Sequence, residues 1–264
     1  MTGFLERLAR GDRVAERVVV VVAHPDDEVL AAGSRMDRME DLTVVHITDG
    51  SPRDMEDARR LGIGTREDYA ALRRREVVAA MEALGADAEL LCLWHPDKEA
   101  ILHGAAIVEQ LVEELDGAGF VITHAYEHGH PDHDTAALCV SLAVARLREA
   151  GRDAPEVLEF PIYAMLGGQP VFGRFVPMEG APETVLPMTP AERERRNAAL
   201  AAYRSQRGVL AFAGDWEERL RPALPYDFRQ PAPNGVALYD RHGWMMTLAR
   251  WREYADALLD REGA

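Results

Sequence analysis

Residues 18–28 read VVVVVAHPDDE, and this stretch decides the fold that we predict for the chain. A short run of β-branched apolar residues is typical of a buried strand, and the run here stops at Ala23. Four of the next five residues are polar, namely His24, Asp26, Asp27 and Glu28. Open α/β sheets bind their ligands where parallel strands end. The stretch therefore predicts a buried strand with a polar site at its carboxyl end.

A second polar cluster, HGHPDH at residues 128–133, follows another apolar segment. The predicted strands are Arg17–Ala23, Leu42–Thr48, Glu89–Trp94, Phe120–Ala125 and Val157–Tyr163. Helical patterns lie between them at about 28–40, 66–84, 100–116 and 134–150. This alternation predicts an α/β fold, a Rossmann-like parallel sheet with helices on both faces. In a strand order of about 3-2-1-4-5, both polar clusters meet in the crevice between strands 1 and 4.

The pattern changes after Tyr163, where a hairpin is predicted over residues 164–177 and a capped helix begins at Thr189. We expect one domain over residues 1–264, with a core of about 15–165 and a C-terminal extension of about 165–264 packed on it.

Composition excludes several classes of function. A formal net charge of -15 argues against nucleic acid and anionic membranes as partners. The two cysteines, Cys92 and Cys139, fall inside predicted elements and indicate small core residues in a reducing compartment. Because the first residues contain no apolar signal segment, we expect a cytoplasmic protein.

The two polar clusters contain the ligand types of a catalytic metal site. Catalytic zinc usually has three protein ligands and an open position for water. His24 and Asp27 lie close enough in one loop to bind the same ion, and His133 would be the third ligand. Asp26 would then be the general base and His130 a general acid or oxyanion donor. Asp132 would hold a ring N–H of one histidine.

With AHPDDE near its start and GHPDH about a hundred residues later, the chain resembles the PIG-L/LmbE-like family of zinc-dependent N-deacetylases. The resemblance covers roughly residues 15–165 and implies removal of an N-acetyl group from an amino sugar or related small molecule. It assigns zinc to His24, Asp27 and His133, the base role to Asp26 and assistance at the tetrahedral intermediate to His130. Ferrous iron suits the same ligands.

The resemblance also raises two questions about substrate contacts. Arg73 resembles an arginine that contacts substrate in some members of the family, although a solvated helix face is the commoner role for such a residue. Some members have an oxyanion-stabilising tyrosine where this chain has His128, so that His128 or Tyr126 takes this role or the role is vacant. Asp49, at the end of the second strand, is a turn residue or a substrate hydrogen-bond acceptor.

Two other functions remain open at this point. Two histidines and one carboxylate also form the facial triad of non-haem iron oxygenases. A non-catalytic α/β binding protein is compatible with the fold alone, although no glycine-rich phosphate loop follows the first strand. Asp134 suits a helix cap, and His95, His103, His124 and His242 suit structural or surface positions.

Overall fold

A computed structural model of the protein describes residues 2–213 and 216–264. The strands in this part are β1 (Val14–Val22), β2 (Met39–Thr48), β3 (Ala88–His95), β4 (Phe120–His124), β5 (Glu156–Phe160), β6 (Tyr163–Leu166), β7 (Gln169–Phe172), β8 (Thr184–Leu186) and β9 (Glu218–Pro222). The helices are α1 (Thr2–Arg10), α2 (Asp27–Ala32), α3 (Glu56–Arg60), α4 (Arg66–Leu84), α5 (Gly104–Leu115), α6 (Pro131–Glu149), α7 (Pro190–Ala202) and α8 (Leu248–Glu262).

The central sheet has the strand order β3-β2-β1-β4-β5-β9-β8. The first five strands are parallel, and their order is the predicted 3-2-1-4-5. β9 pairs antiparallel with β5, and β8 pairs with β9. The C-terminal extension therefore continues the sheet as well as packing on it, while β6 and β7 form the predicted hairpin.

The valine run of β1 is continuous because both faces of the strand are buried. Val18, Val20 and Val22 belong to one buried apolar cluster with residues of α1, α2, α4 and α7. Val19 and Val21 point to the opposite face, into the layer of α5, α6 and α8. Side chains alternate along a strand, so a strand covered on both sides needs an apolar residue at every position.

Two predicted helices have different bounds in the structure. The helix expected over 28–40 ends at Ala32 and continues as a 3-10 segment, because the N–H and hydroxyl of Ser34 bind the Glu218 carboxylate of β9. The helix expected to begin at Asp134 begins at Pro131, so the prediction of Asp134 as its cap is wrong. His130 is the cap, and its Nδ1 accepts the Asp132 N–H at 3.2 Å.

These helix starts bring the site residues into position. Asp27 lies in the first turn of α2, directly after β1, and Asp132 and His133 lie in the first turn of α6, directly after β4. The carboxyl ends of β1 and β4 are adjacent. Within the described residues, no helix is long and apolar enough to span a bilayer.

Candidate metal centre

The two polar clusters meet in a cavity of about 260 Å³ at the carboxyl ends of β1 and β4. The ring centroids of His24 and His133 are 5.3 Å apart. The predicted site residues that line the cavity are His24, Asp26, Asp27, Arg73, His130 and His133. Asp49, His128 and Asp132 lie outside its lining.

The Asp27 carboxylate lies between imidazoles from both loops. Its Oδ2 is 3.2 Å from His24 Nδ1 and 3.5 Å from His133 Nε2. It also accepts the backbone N–H of His24 at 2.8 Å. Burial alone would raise the pKa of Asp27, but the rings of His133 and His124 hold that pKa well below its ordinary value. The carboxylate is thus ionised and faces the two other predicted ligands.

The donor set suits a divalent cation. His133 is 1% exposed, yet within the described residues neither of its ring nitrogens has a hydrogen-bond partner. A buried polar atom without a partner costs about 1–3 kcal/mol, and a metal ion would remove this cost. The groups that bring potential ligand atoms within 4.8 Å of one another include His24–His130–His133 and Asp27–His124–His133. The predicted trio takes His24 from the first group and Asp27 from the second, shares His133 with both, and is not itself one of the groups found among the described residues.

His124, although near Asp27, does not suit the role of a ligand. Its Nε2 accepts the Ala23 N–H at 3.0 Å, so the lone pair that would face the ion is already used. Burial lowers the pKa of His124 to about 3, with the nearby His133 adding to the shift. A neutral ring that ties β4 to the end of β1 is a structural role, as the sequence predicted.

Asp26 has a strained backbone beside the predicted ligands. Its φ of 123° is rare for a residue with a side chain and costs of the order of 1–3 kcal/mol. The Glu28 carboxylate accepts the Asp26 N–H at 2.9 Å and holds this conformation. Burial raises the pKa of Asp26 to about 7, and the guanidinium of Arg73, 3.3 Å from Oδ2, opposes the shift. This strained, buried carboxyl faces the cavity.

The first turn of α6 fixes the rings of His130 and His24 by one contact each. His130 Nδ1 accepts an N–H, so in the neutral ring the proton is on Nε2 and is available to a ligand. Burial lowers the pKa of His130 well below its ordinary value and keeps the ring neutral. Asp132 Oδ2 is 3.2 Å from His24 Nε2 and accepts the Lys98 N–H at 2.6 Å. Asp132 therefore orients His24 from outside the cavity, which is the contact predicted for it.

The predicted substrate-binding residues differ in their surroundings. Arg73 reaches the cavity, but its guanidinium also donates to Pro25 O and to Ser205 Oγ. Asp49 pairs with Arg66 at 2.7 Å and accepts the Ser51 N–H, which makes it a turn residue away from the cavity.

Neither candidate for the oxyanion role in the β4–α6 loop reaches the cavity. His128 is fully buried between Asp134 Oδ2, 2.8 Å from its Nδ1, and the Ala232 N–H, which its Nε2 accepts. The Tyr126 hydroxyl donates to Gln230 O. Both side chains anchor the C-terminal extension behind the loop.

Asp97 and Tyr163 also belong to the site and were not predicted from the sequence. Asp97 Oδ1 is 3.3 Å from His24 Nε2, and Tyr163 of β6 lies with its ring centroid 5.2 Å from that of His133. Lys98 and Trp244 also line the cavity, with the ammonium 5.0 Å from the indole centroid. None of these residues belongs to a recognisable motif, although Asp97 follows a predicted strand, a position that favours ligand contacts.

Comparisons with known proteins agree with the motifs. A family model described as PIG-L, GlcNAc-PI de-N-acetylase, matches residues 19–144. A curated relative from Bacillus cereus, described as a probable N-acetyl-alpha-D-glucosaminyl L-malate deacetylase 2, is 33% identical over 144 residues. That alignment covers 51% of this chain and 64% of the relative. The resemblance that was drawn from the motifs is thereby confirmed.

Solved structures share the fold at lower identity. The zinc-inhibited form of a teicoplanin deacetylase has a TM-score of 0.59 at 15% identity, covering 80% of this chain and 99% of that one. A deacetylase of the A40926 pseudoaglycone also has a TM-score of 0.59, at 22% identity, covering 81% and 99% of the two chains. At these identities the matches establish the architecture alone.

Proposed function

We propose that this chain, whose residues 19–144 match the PIG-L family model, is a metal-dependent hydrolase that removes an N-acetyl group from an amino sugar or a related small molecule. One observation carries the proposal. His24 and Asp27 after β1 meet His130 and His133 after β4 in a single cavity, and Asp26 lines the same cavity. The name of the Bacillus cereus relative, an N-acetyl-alpha-D-glucosaminyl L-malate deacetylase, supports deacetylation of an N-acetylated amino sugar.

His24, Asp27 and His133 would hold the ion, with zinc as the first candidate and ferrous iron as the second. A bound divalent cation polarises an amide carbonyl and lowers the pKa of a coordinated water. Asp132 holds Nε2 of the His24 ring, which leaves Nδ1 on the side of Asp27. Such contacts to the outer ring nitrogen typically raise metal affinity by about 10–100-fold.

The other side chains of the cavity would move and place protons. Asp26 takes a proton from the attacking water as the C–O bond forms, and returns it to the nitrogen as the C–N bond breaks. His130, neutral with its proton on Nε2, donates a hydrogen bond to the substrate. Arg73 keeps Asp26 in place through its contact with Oδ2. Acetic acid and a free amine are the products.

The test is acetate release from a panel of N-acetylated amino sugars and their glycosides by the purified protein. Activity is expected to disappear with a chelator and to return with zinc or ferrous iron. Asp26→Ala should keep the metal and lose hydrolysis, by about 10²–10⁴-fold for a missing general base. Full activity in that variant would exclude Asp26 as the base.

An iron oxygenase would use a similar ligand set, so oxygen consumption under the same conditions is the matched control. We expect none, because the family match and the doubly wound sheet favour the hydrolase. Oxygen uptake coupled to substrate loss, without acetate, would contradict the proposal.

A further inference from the structure

Amide hydrolysis requires hydrogen-bond donors at the oxygen that becomes negative. Removing one such donor typically lowers the rate by about 10²–10³-fold. The two candidates in the β4–α6 loop, His128 and Tyr126, bind Asp134 and Gln230 O instead and do not line the cavity. Any protein donor in addition to His130 therefore comes from another element than this loop.

Tyr163 lines the cavity from β6, an element outside the residues that match the family model. Its ring centroid is 5.2 Å from that of His133, and the two rings are inclined at 49°. Burial raises the pKa of the phenol far above its ordinary value, and the carboxylates of Asp27 and Asp26 add to this effect. The ring therefore lies beside a predicted ligand of the ion, in the lining of the cavity that Asp26 and Asp27 also line.

The backbone around Tyr163 is fixed to the loop that carries the histidines. Glu127 Oε1 accepts the N–H groups of Ile162 and Tyr163, at 2.8 and 3.1 Å. A Cβ on Gly129 would lie 2.0 Å from the Tyr163 carbonyl oxygen and 2.8 Å from its Cδ2. The loop thus has no side chain where Tyr163 packs, and the position of the ring is set relative to His130 and His133.

We propose that the Tyr163 hydroxyl donates a hydrogen bond to the oxyanion of the tetrahedral intermediate. The inference rests on the proposed amide hydrolysis. As water attacks the carbonyl carbon, the π electron pair moves to the carbonyl oxygen, and the water proton goes to Asp26. Tyr163 keeps its own proton throughout. When the C–N bond breaks, the electron pair returns to form the carbonyl, and the amine leaves with the proton from Asp26.

The experiment compares Tyr163→Phe with the wild-type protein and with Tyr126→Phe. In Tyr163→Phe we expect kcat to fall by about 10²–10³-fold, with KM, metal content and melting temperature close to those of the wild type. Tyr126→Phe loses a hydroxyl of the same kind outside the cavity and should keep kcat within a few-fold. Affinity for a tetrahedral phosphonate analogue of the substrate should fall in Tyr163→Phe by a similar factor to kcat.

The possible failures are distinguishable. If the wild-type protein releases acetate and Tyr163→Phe retains both kcat and phosphonate affinity, the role of Tyr163 is excluded while the hydrolase assignment stands. If the wild-type protein releases acetate from none of the substrates, both proposals are overturned. A lower melting temperature does not obscure the result, because the ratio of phosphonate to substrate affinity is measured on folded protein.

Discussion

Glu127 offers a quantitative test of how the hairpin that carries Tyr163 is held. The side chain is 3% exposed, and its Oε1 accepts the N–H groups of Ile162 and Tyr163. In Glu127→Ala the Ile162 N–H, in a residue that is 1% exposed, loses its acceptor, which costs about 1–3 kcal/mol. Tyr163 is half-buried, so the penalty there is smaller. With the small void left by the carboxyl group, we expect the free energy of unfolding to fall by about 2–4 kcal/mol.

Glu127→Gln is the matched control, since its amide oxygen retains the acceptor at the same place. Burial raises the pKa of Glu127 well above its ordinary value, and the backbone N–H groups that it accepts oppose the shift. The folded state therefore favours the neutral carboxyl, and wild-type stability is lost as the pH rises above the pKa of an unfolded glutamate. The stability of Glu127→Gln relative to the wild type should accordingly increase from pH 5 to pH 8.

Urea denaturation of the three proteins at both pH values measures these effects. Acetate release should fall in Glu127→Ala, because Tyr163 is no longer held, while metal content stays constant. Equal unfolding midpoints for Glu127→Ala and the wild type would refute the argument that these two hydrogen bonds hold the hairpin against the β4–α6 loop.

Three further predictions follow from individual residues. His133→Ala should lose the ion, measured as metal content after dialysis, because one of three predicted ligands is removed; unchanged stoichiometry would exclude His133 as a ligand. Burial raises the pKa of Glu159 to about 7, although Arg221 opposes the shift. The wild type should therefore lose up to about 3 kcal/mol of stability relative to Glu159→Gln as the pH rises from about 4.5 to 7. A stability difference that is independent of pH would contradict this. Gly129→Ala should lower kcat without loss of metal, since the new methyl group must displace the Tyr163 carbonyl oxygen; wild-type kcat in that variant would show that the position of Tyr163 is not important.

The convergence of the two polar loops was predictable from the sequence because it depends on topology alone. Two apolar runs, each followed by histidines and aspartates, become neighbours once the strand order is 3-2-1-4-5. Residues 18–22 of β1 are buried on both faces, which explains why the valines there do not alternate with polar residues. Local patterns also predicted α4 with the bounds 66–84 that the structure has.

Contacts between distant segments were not predictable in the same way. Asp97 and Tyr163 reach the cavity from a loop and a hairpin without motifs, because the chain packs there from far away in sequence. The early end of α2 depends on Glu218, 184 residues from Ser34. The strain at Asp26 likewise depends on the Glu28 carboxylate, which is itself held by His46 and Tyr203.

The pairing of β9 with β5 has a practical consequence for anyone who trims the gene to the region that the family model matches. Residues 19–144 end before β5, whereas Glu218 on β9 forms a buried ion pair with Arg196 of α7 at 2.9 Å and binds Ser34, which follows α2. A polypeptide cut at residue 144 would leave β4 with a bare edge and Ser34 without its acceptor, both of which favour aggregation over folding. The matched region and the region that the fold requires therefore have different boundaries in this chain.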